Sequence, residues 1–225
     1  QKVEFAIEKI LDRVNISSNI QDTAVDQFVQ FETTVSTSGG EHLQPLLKAI
    51  KEKLRVSFKY KSYKAAKSEG WKERVVHPHL LKEYRNRWYL IGYCEEKNKV
   101  ITYGLDRIRD LIVSESYFIP QDTFSADNYF KYTIGVTTLD DKKPEKIELY
   151  ANSILMQYLN SQPLHSSQKL IKTTEDGALF YFELYPTPEF DMAILSYGSQ
   201  VKILKPKTYV TRIKTIVSNI LDMYH

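Results

Sequence analysis

Residues 87–93 read R-W-Y-L-I-G-Y, with R-V-V-H-P-H-L-L before them at residues 74–81 and V-I-T-Y-G-L-D-R-I after them at residues 100–108. Each stretch is rich in β-branched or aromatic residues, and the turn-forming residues 95–98 separate the last two. Four or five short strands within about 60 residues leave no room for crossover helices. The pattern therefore predicts a small antiparallel barrel or a strongly curved sheet.

The residues before these stretches change from a helical to an extended hydrophobic period. Within residues 41–53, apolar side chains recur at spacings of three and four, which predicts an amphipathic helix. Residues 54–60 then alternate apolar side chains with Arg, Ser and Lys, which predicts a half-buried strand with a basic outer face. Further upstream, the same criteria predict a helix over residues 3–14 and a strand over residues 25–35.

A second folding unit is predicted after a polar, Asp-rich connection. The turn dipeptide Asp176–Gly177 indicates a hairpin within this unit. The order β, α, β, β, α, β with a terminal helix is typical of a ferredoxin-like α+β unit. The predicted elements are strand 146–151, helix 153–159, strands 170–174 and 178–185, helix 191–197, strand 200–204 and helix 207–224.

Length and composition exclude several classes of protein. The 225 residues are 42% hydrophobic, enough to bury a core in one large domain or two small ones. No stretch approaches the roughly 20 apolar residues of a membrane span, and the start lacks a signal-peptide pattern, so we expect no membrane contact. The single Cys94 allows neither an intramolecular disulfide nor a cysteine-based zinc site, which fits a reducing cytoplasm. Because the first residue is Gln, we expect a fragment of a longer protein or a processed chain.

The net charge of +3 is unevenly distributed along the chain. Residues 1–43 carry 3 Lys and Arg against 7 Asp and Glu, residues 44–119 carry 17 against 9, and residues 120–225 carry 11 against 12. The middle third is therefore +8. Such an excess attracts anions, usually nucleic acids or phosphorylated small molecules, although a solvated basic face without a partner is the alternative.

The sequence contains few residues in the patterns that catalytic or metal-binding sites require. Gly39–Gly40 has neither the Walker nor the Rossmann spacing, and no serine lies in a nucleophile-elbow context. His77 and His79 are two apart on a predicted strand, which would place both imidazoles on one face, but no third ligand lies at a persuasive spacing. Cys94 within an apolar strand indicates a small buried side chain rather than a reactive thiol. We therefore expect no enzyme activity, no bound metal and no cofactor.

The stretches at residues 74–81, 87–93 and 104–108, in this order and spacing, resemble the WYL domain, and residues 194–198 with 201–206 resemble the extension that follows such domains. The resemblance implies an SH3-like or Sm-like barrel followed by an α+β extension, normally behind an N-terminal helix-turn-helix domain that we do not find here. It gives a connecting segment at residues 1–40, a WYL domain at 41–120, a connection at 121–144 and the extension at 145–225. The acidic balance of the first segment argues against DNA contact there.

The resemblance also implies a basic and aromatic ligand pocket. Arginines would hold phosphate oxygens, tyrosines would stack on bases and the histidine would donate or accept a hydrogen bond. Trp88 and Leu90 of the same motif are expected to pack instead, and Arg107 could simply pair with its neighbour Asp106. The positions carried over are Tyr60, Arg74, His77, Tyr89 and Arg107.

One departure from the family pattern bears on this pocket. Many WYL domains carry further arginines in the strand before D-R-I, where this chain has Ile101 and Gly104. The basic pocket is therefore depleted, or its ligand differs.

Three functional hypotheses follow. The first is the sensor half of a homodimeric bacterial transcription regulator, in which a nucleotide or nucleic-acid-like effector shifts DNA-binding domains attached to it. The second is direct binding of single-stranded nucleic acid by the basic face. The third is a structural dimerisation module whose ligand pocket has decayed.

Overall fold

The structure is a computed structural model that describes residues 38–63, 70–119, 124–139 and 141–224. The predicted helix at residues 3–14 and the predicted strand at residues 25–35 lie outside the described residues. Two antiparallel sheets, each with its own hydrophobic core, make up most of the described chain. The predicted α+β class is confirmed.

The first sheet has five strands and follows a single helix. Its strands lie in the order β4-β3-β2-β1-β5, so β4 and β5 form the edges. Over the described residues the sheet stays open, and in this respect it differs from the closed barrel that was predicted. The elements are α1 (Leu43–Glu52), β1 (Leu54–Tyr60), β2 (Lys72–Tyr84), β3 (Arg87–Cys94), β4 (Lys99–Gly104) and β5 (Ile108–Tyr117).

One face of this sheet packs on α1. Leu46 and Ala49 of the helix are fully buried and belong to the same apolar cluster as Val56 and Val76. Buried and outward-facing residues alternate along β1, as its period of two predicts. Each large apolar side chain buried in this way contributes roughly 1.5–3 kcal/mol to folding. The predicted helix and strand at residues 41–60 are therefore both confirmed.

Gly92 of the R-W-Y-L-I-G-Y stretch lies where β3 approaches β2 most closely. A Cβ atom at this position would lie 2.5 Å from Cγ1 of Val76 and 2.7 Å from the carbonyl oxygen of His77. Only glycine fits such an approach without moving the neighbouring strand. Cys94, two residues further along, is a free and fully buried cysteine, as predicted.

The predicted strand at residues 100–108 is interrupted. It ends as β4 at Gly104, residues 105–107 form a 3-10 turn, and Ile108 begins β5, which had not been predicted as a separate strand. This turn lets the chain leave one edge of the sheet and pair with β1 at the other edge. The turn also places the Arg107 side chain beside Gly104, the last residue of β4.

The chain after β5, including the described part of the connection (residues 124–139 and 141–144), covers part of the opposite face of this sheet. Phe118 is 5% exposed and stacks on the His77 ring with 4.8 Å between centroids. Phe124, before the short helix α2 (Ala126–Tyr129), stacks on His79 at 4.7 Å. The hydroxyl of Thr102 donates to the carbonyl oxygen of Val136 at 3.3 Å.

The second sheet matches the ferredoxin-like topology that the sequence predicts. Its strands lie in the order β7-β8-β6-β9 and all neighbours are antiparallel. Its core includes the fully buried Phe180, Phe182 and Phe190, with Tyr209 of the last helix stacked on Phe190. None of the described helices is long and apolar enough to cross a membrane. The elements are β6 (Glu145–Asn152), α3 (Ser153–Ser161), β7 (Lys169–Thr174), β8 (Gly177–Leu184), α4 (Pro188–Ser196), β9 (Val201–Lys205) and α5 (Lys207–Asp222).

Candidate functional site

A cleft of about 340 Å³ lies where the ends of β1, β2 and β4 meet. We call it the basic cleft, because five of its lining side chains are cationic and the described lining residues include no carboxylate. The other side chains that line it are those of Tyr60, Ser62, Ile101, Thr102 and Tyr103. The five cations are Lys61, Lys72, Arg74, Lys97 and Arg107.

Tyr60 and Arg74 reach this cleft because of the strand register. Arg74 lies directly opposite Phe58 in the β1–β2 pair, and therefore on the face of the sheet that holds the core. Its Nη1 donates to the carbonyl oxygen of Glu73 at 2.6 Å, which leaves the rest of the guanidinium at the cleft. Tyr60 ends β1, and its hydroxyl accepts a hydrogen bond from the Gly104 amide at 3.4 Å. Burial raises the pKa of Tyr60, while the Arg107 cation opposes that shift.

Arg107 is held by two aromatic rings and a carboxylate. Its guanidinium carbon lies 4.7 Å from the Tyr63 ring centroid and 5.5 Å from that of Tyr60. Its Nε donates to Oδ1 of Asp106 at 3.4 Å, and the Tyr63 hydroxyl donates to Oδ2 of the same residue at 2.8 Å. The local ion pair with Asp106 that the sequence allowed is therefore present. It does not withdraw Arg107, whose side chain lines the basic cleft.

The position of Arg107 depends on Gly104. A Cβ atom at residue 104 would lie 2.6 Å from Oδ1 of Asp106 and 2.8 Å from Nε of Arg107. The guanidinium thus packs directly on the glycine backbone. The glycine that departs from the family pattern makes room for the arginine that follows it.

Tyr103 is the most deeply buried of the lining residues that the sequence did not single out. Its side chain is 1% exposed, and its ring packs edge-on against Phe58 and Tyr60 at 5.1 and 4.9 Å between centroids. Its hydroxyl has no hydrogen-bond partner among the described residues. Burial is the main cause that raises the pKa of this phenol, so it remains a neutral donor. Its place in the tyrosine-rich, basic third of the chain was the only available signal in the sequence.

A second and larger cleft, of about 830 Å³, lies where β3 and β4 face the connection at residues 121–144. We call it the junction cleft. It shares Ile101, Thr102 and Arg107 with the basic cleft, and it adds Tyr89 from β3 and Lys142 from the connection. Burial raises the pKa of Tyr89, and the Arg107 and Arg87 cations oppose the shift. Arg107 is therefore the one predicted residue that lines both clefts.

The WYL domain family model matches residues 41–113. This range holds α1, β1 to β4, the first part of β5 and every cation of the basic cleft. Residues 41–113 form a WYL domain. No curated protein matches the chain.

Two solved structures resemble the chain, which spans half or less of the length of each. One is proteasome accessory factor B/C (PafBC) of Arthrobacter aurescens, with 19% sequence identity over 86% of this chain and 28% of that one, and a TM-score of 0.36. The other is described as a CRISPR Cas-related protein, with 13% identity over 80% of this chain and 50% of that one, and a TM-score of 0.52. The second likeness is one of fold.

The WYL domain does not bring all five predicted positions together. Tyr60, Arg74 and Arg107 meet at the basic cleft, and Tyr89 joins Arg107 at the junction cleft. His77 is among the described lining residues of neither cleft. It is three residues beyond Arg74 on β2, an odd spacing that directs it to the opposite face. There it pairs with Glu95 at 2.7 Å and stacks on Phe118.

The residues named for packing behave differently from each other. Leu90 of the WYL motif is fully buried, as predicted, whereas Trp88 is 38% exposed at the start of β3. The expectation that both side chains pack is therefore wrong for Trp88. The ring of His79, paired with His77 in the metal hypothesis, stacks on Phe124 of the connection and meets Phe118 edge-on. The described residues include no group of three metal-ligating side chains.

Proposed function

We propose that this chain is the effector-sensing part of a bacterial transcription regulator, and that its WYL domain binds a nucleotide or nucleic-acid-like anion in the basic cleft. The observation that carries the proposal is the convergence of five cationic side chains on one cleft whose described lining holds no carboxylate. An excess of one charge in a concave site concentrates counter-ions there.

The side chains suit phosphate better than a simple anion. Arg74 and Arg107 offer planar guanidinium groups that can bind two phosphate oxygens at once, while the three lysines add point charges at the rim. Asp106 already neutralises part of the Arg107 charge. The cleft volume falls at the lower end of the range for small-molecule sites, which suits one nucleotide unit rather than a long polymer.

In this proposal the protein acts in the cytoplasm as a homodimer. DNA binding belongs to a helix-turn-helix domain elsewhere in the regulator, and the extension contributes to the dimer. The effector alters DNA binding by favouring one arrangement of the dimer, which requires a difference in its affinity for the two arrangements. No cofactor and no catalytic step are needed.

The test is a binding titration of nucleoside phosphates, followed by tyrosine and tryptophan fluorescence. The double variant Arg74→Ala/Arg107→Ala should lose at least 10-fold in affinity, since hydrogen bonds to charged groups contribute roughly 1.5–3 kcal/mol each. The matched control is Lys202→Ala/Lys214→Ala, which removes the same charge from exposed positions in the extension. Equal affinity of the double variant and the wild type for every phosphate tested would refute the proposal.

A second function, direct binding of single-stranded nucleic acid, is favoured by aromatic side chains paired with cations near the cleft. Arg109 lies 4.2 Å from the Trp71 ring, and Tyr63 beside Arg107 is 71% exposed. Bases stack on such rings with little sequence preference. Titration with short oligonucleotides at two salt concentrations distinguishes the two functions, because a polymer that displaces several counter-ions gives a steeper salt dependence than a mononucleotide. If no ligand binds and the chain forms a stable dimer, the results would instead indicate the structural dimerisation module.

A further inference from the structure

The basic cleft is chemically polarised between its rim and its inner wall. Lys72 and Lys97 at the rim are exposed, and Arg74 and Arg107 are half-buried. The inner wall holds Tyr103, whose side chain is almost fully buried and whose hydroxyl has no hydrogen-bond partner among the described residues. Cations therefore lie towards solvent, while an uncharged donor lies inside.

The surroundings of Tyr103 disfavour an anion at the inner wall. Cys94 lies beside Tyr103, and its thiol donates to Oε2 of Glu96 at 3.1 Å. Glu96 also accepts a hydrogen bond from the Val75 amide at 2.9 Å. Burial opposes ionisation of Glu96, but the bonds from Cys94 and from backbone amides, with the nearby Arg74, lower its pKa. A carboxylate thus stands near the hydroxyl and would repel a phosphate placed there.

An unpaired buried hydroxyl is a costly feature for a domain to keep. A phenol that loses its water without gaining a partner destabilises the fold, whereas phenylalanine at the same position would carry no such cost. The ring packing against Phe58 and Tyr60 needs only the aromatic ring. A hydrogen-bond acceptor that arrives with the ligand would satisfy this hydroxyl.

We propose that a nucleotide enters this cleft base first, with its phosphate held by the cations at the rim and an acceptor atom on its base hydrogen-bonded to the Tyr103 hydroxyl. This inference rests on the proposed function and adds the orientation of the ligand and a residue that determines specificity. Carbonyl oxygens and ring nitrogens of bases are neutral acceptors, which suits a neutral donor beside a carboxylate. Tyr103 then distinguishes a nucleotide from other phosphates of equal charge.

The experiment compares two kinds of probe on wild type and Tyr103→Phe by calorimetric titration. The probes are the four nucleoside 5′-monophosphates and ribose 5-phosphate, which carries the same phosphate without a base. At least one nucleotide should bind the wild type more tightly than ribose 5-phosphate does. Tyr103→Phe should lower the affinity for that nucleotide roughly threefold to tenfold, since one neutral hydrogen bond is lost. The affinity for ribose 5-phosphate should not change. Tyr209→Phe, which removes the other fully buried and unpaired phenol, in the extension, should change neither.

The outcomes separate the inference from the function on which it rests. If Tyr103→Phe weakens both probes equally, or neither, the base-first orientation is wrong while anion binding stands. If the wild type binds none of the probes, the proposed function fails and the inference fails with it. A structural role for the hydroxyl is tested by thermal unfolding without ligand, where Tyr103→Phe should be as stable as the wild type or more stable. A clear loss of stability would show that the hydroxyl serves the fold instead.

Discussion

Tyr103 in the WYL domain and Tyr209 in the extension are both 1% exposed, and neither hydroxyl has a hydrogen-bond partner among the described residues. Their settings differ. Tyr209 stacks on Phe190 inside an apolar core, whereas Tyr103 forms the inner wall of a cleft whose rim is cationic. The same type of buried hydroxyl thus lies within an apolar core in one half of the protein and at the inner wall of a cationic cleft in the other.

The two halves differ in the same way in their charged groups. In the extension, the partly buried Asp191 is paired with Arg212, so that two opposite charges meet. In the WYL domain, five cations converge on one cleft without a carboxylate among its described lining. An excess of one charge at a concave surface indicates recognition rather than stability. The comparison therefore supports the proposal that the ligand site lies in the WYL domain and not in the extension.

The largest effect is expected from the apolar core of the extension. Phe180→Ala removes a fully buried ring from β8 and should lower the free energy of unfolding by about 3–5 kcal/mol. Denaturant unfolding measures this loss, and the exposed Tyr158→Ala serves as control, with a change of about 0.5 kcal/mol or less. Phe58→Ala in the WYL core, 3% exposed, should cost a similar amount. A loss below about 1 kcal/mol for either phenylalanine would contradict the assignment of these two cores.

The next effect concerns the contact between connection and extension. Glu189 at the start of α4 is 8% exposed, and its Oε1 accepts from the Thr137 amide at 3.1 Å and from the Thr137 hydroxyl at 2.6 Å. Glu189→Ala leaves both donors unpaired and should cost about 1.5–3 kcal/mol of unfolding free energy. Glu189→Gln keeps an acceptor oxygen and should cost distinctly less. Equal losses in the two variants would show that the negative charge, and not the hydrogen bonding, stabilises this contact.

A smaller effect, confined to binding, is expected at Gly104. Gly104→Ala would displace the Arg107 guanidinium, because the new Cβ would lie 2.8 Å from Nε. Affinity for nucleoside monophosphates should fall by up to roughly tenfold, which corresponds to about 1.4 kcal/mol. Gly70 lines the same cleft, and a Cβ atom there would have no heavy atom within 4 Å. Gly70→Ala should therefore leave the affinity unchanged. The two variants together test whether the placement of Arg107 matters, since only one of them moves it.

Hydrophobic period and turn residues were enough to predict most of this fold, because both sheets have one strongly apolar face. The alternation along β1 and the dipeptide Asp176–Gly177 are examples. The break at Gly104 was missed, because nothing in the local pattern of residues 100–108 shows that an arginine side chain folds back over the glycine. That break determines the order of the edge strands, and a sequence pattern carries no direct information about such long-range pairing.

The candidate site was only partly predictable for a related reason. Motif matching named Arg74 and His77 together, although an odd spacing on one strand directs them to opposite faces, and this rule could have separated them. The role of Tyr103 could not be predicted in the same way. Whether a buried hydroxyl finds a partner depends on residues distant in sequence, here Phe58, Tyr60 and Cys94.

The smallest effect is a pH dependence shared by the two halves. Burial lowers the pKa of His79 in the WYL domain and of His165 in the extension below the ordinary 6.5, with His77 adding to the shift at His79. The unfolded state therefore takes up protons more readily, so the free energy of unfolding is fully retained above about pH 6.5 and falls as the pH drops from there towards the folded pKa. His79→Gln and His165→Gln should each reduce this acid slope, measured by denaturant unfolding between pH 7.5 and 5. An unchanged slope in His79→Gln would mean that the stacking of His79 on Phe124 does not keep the imidazole neutral, and that the connection at residues 121–144 covers this face less tightly than the ring contacts indicate.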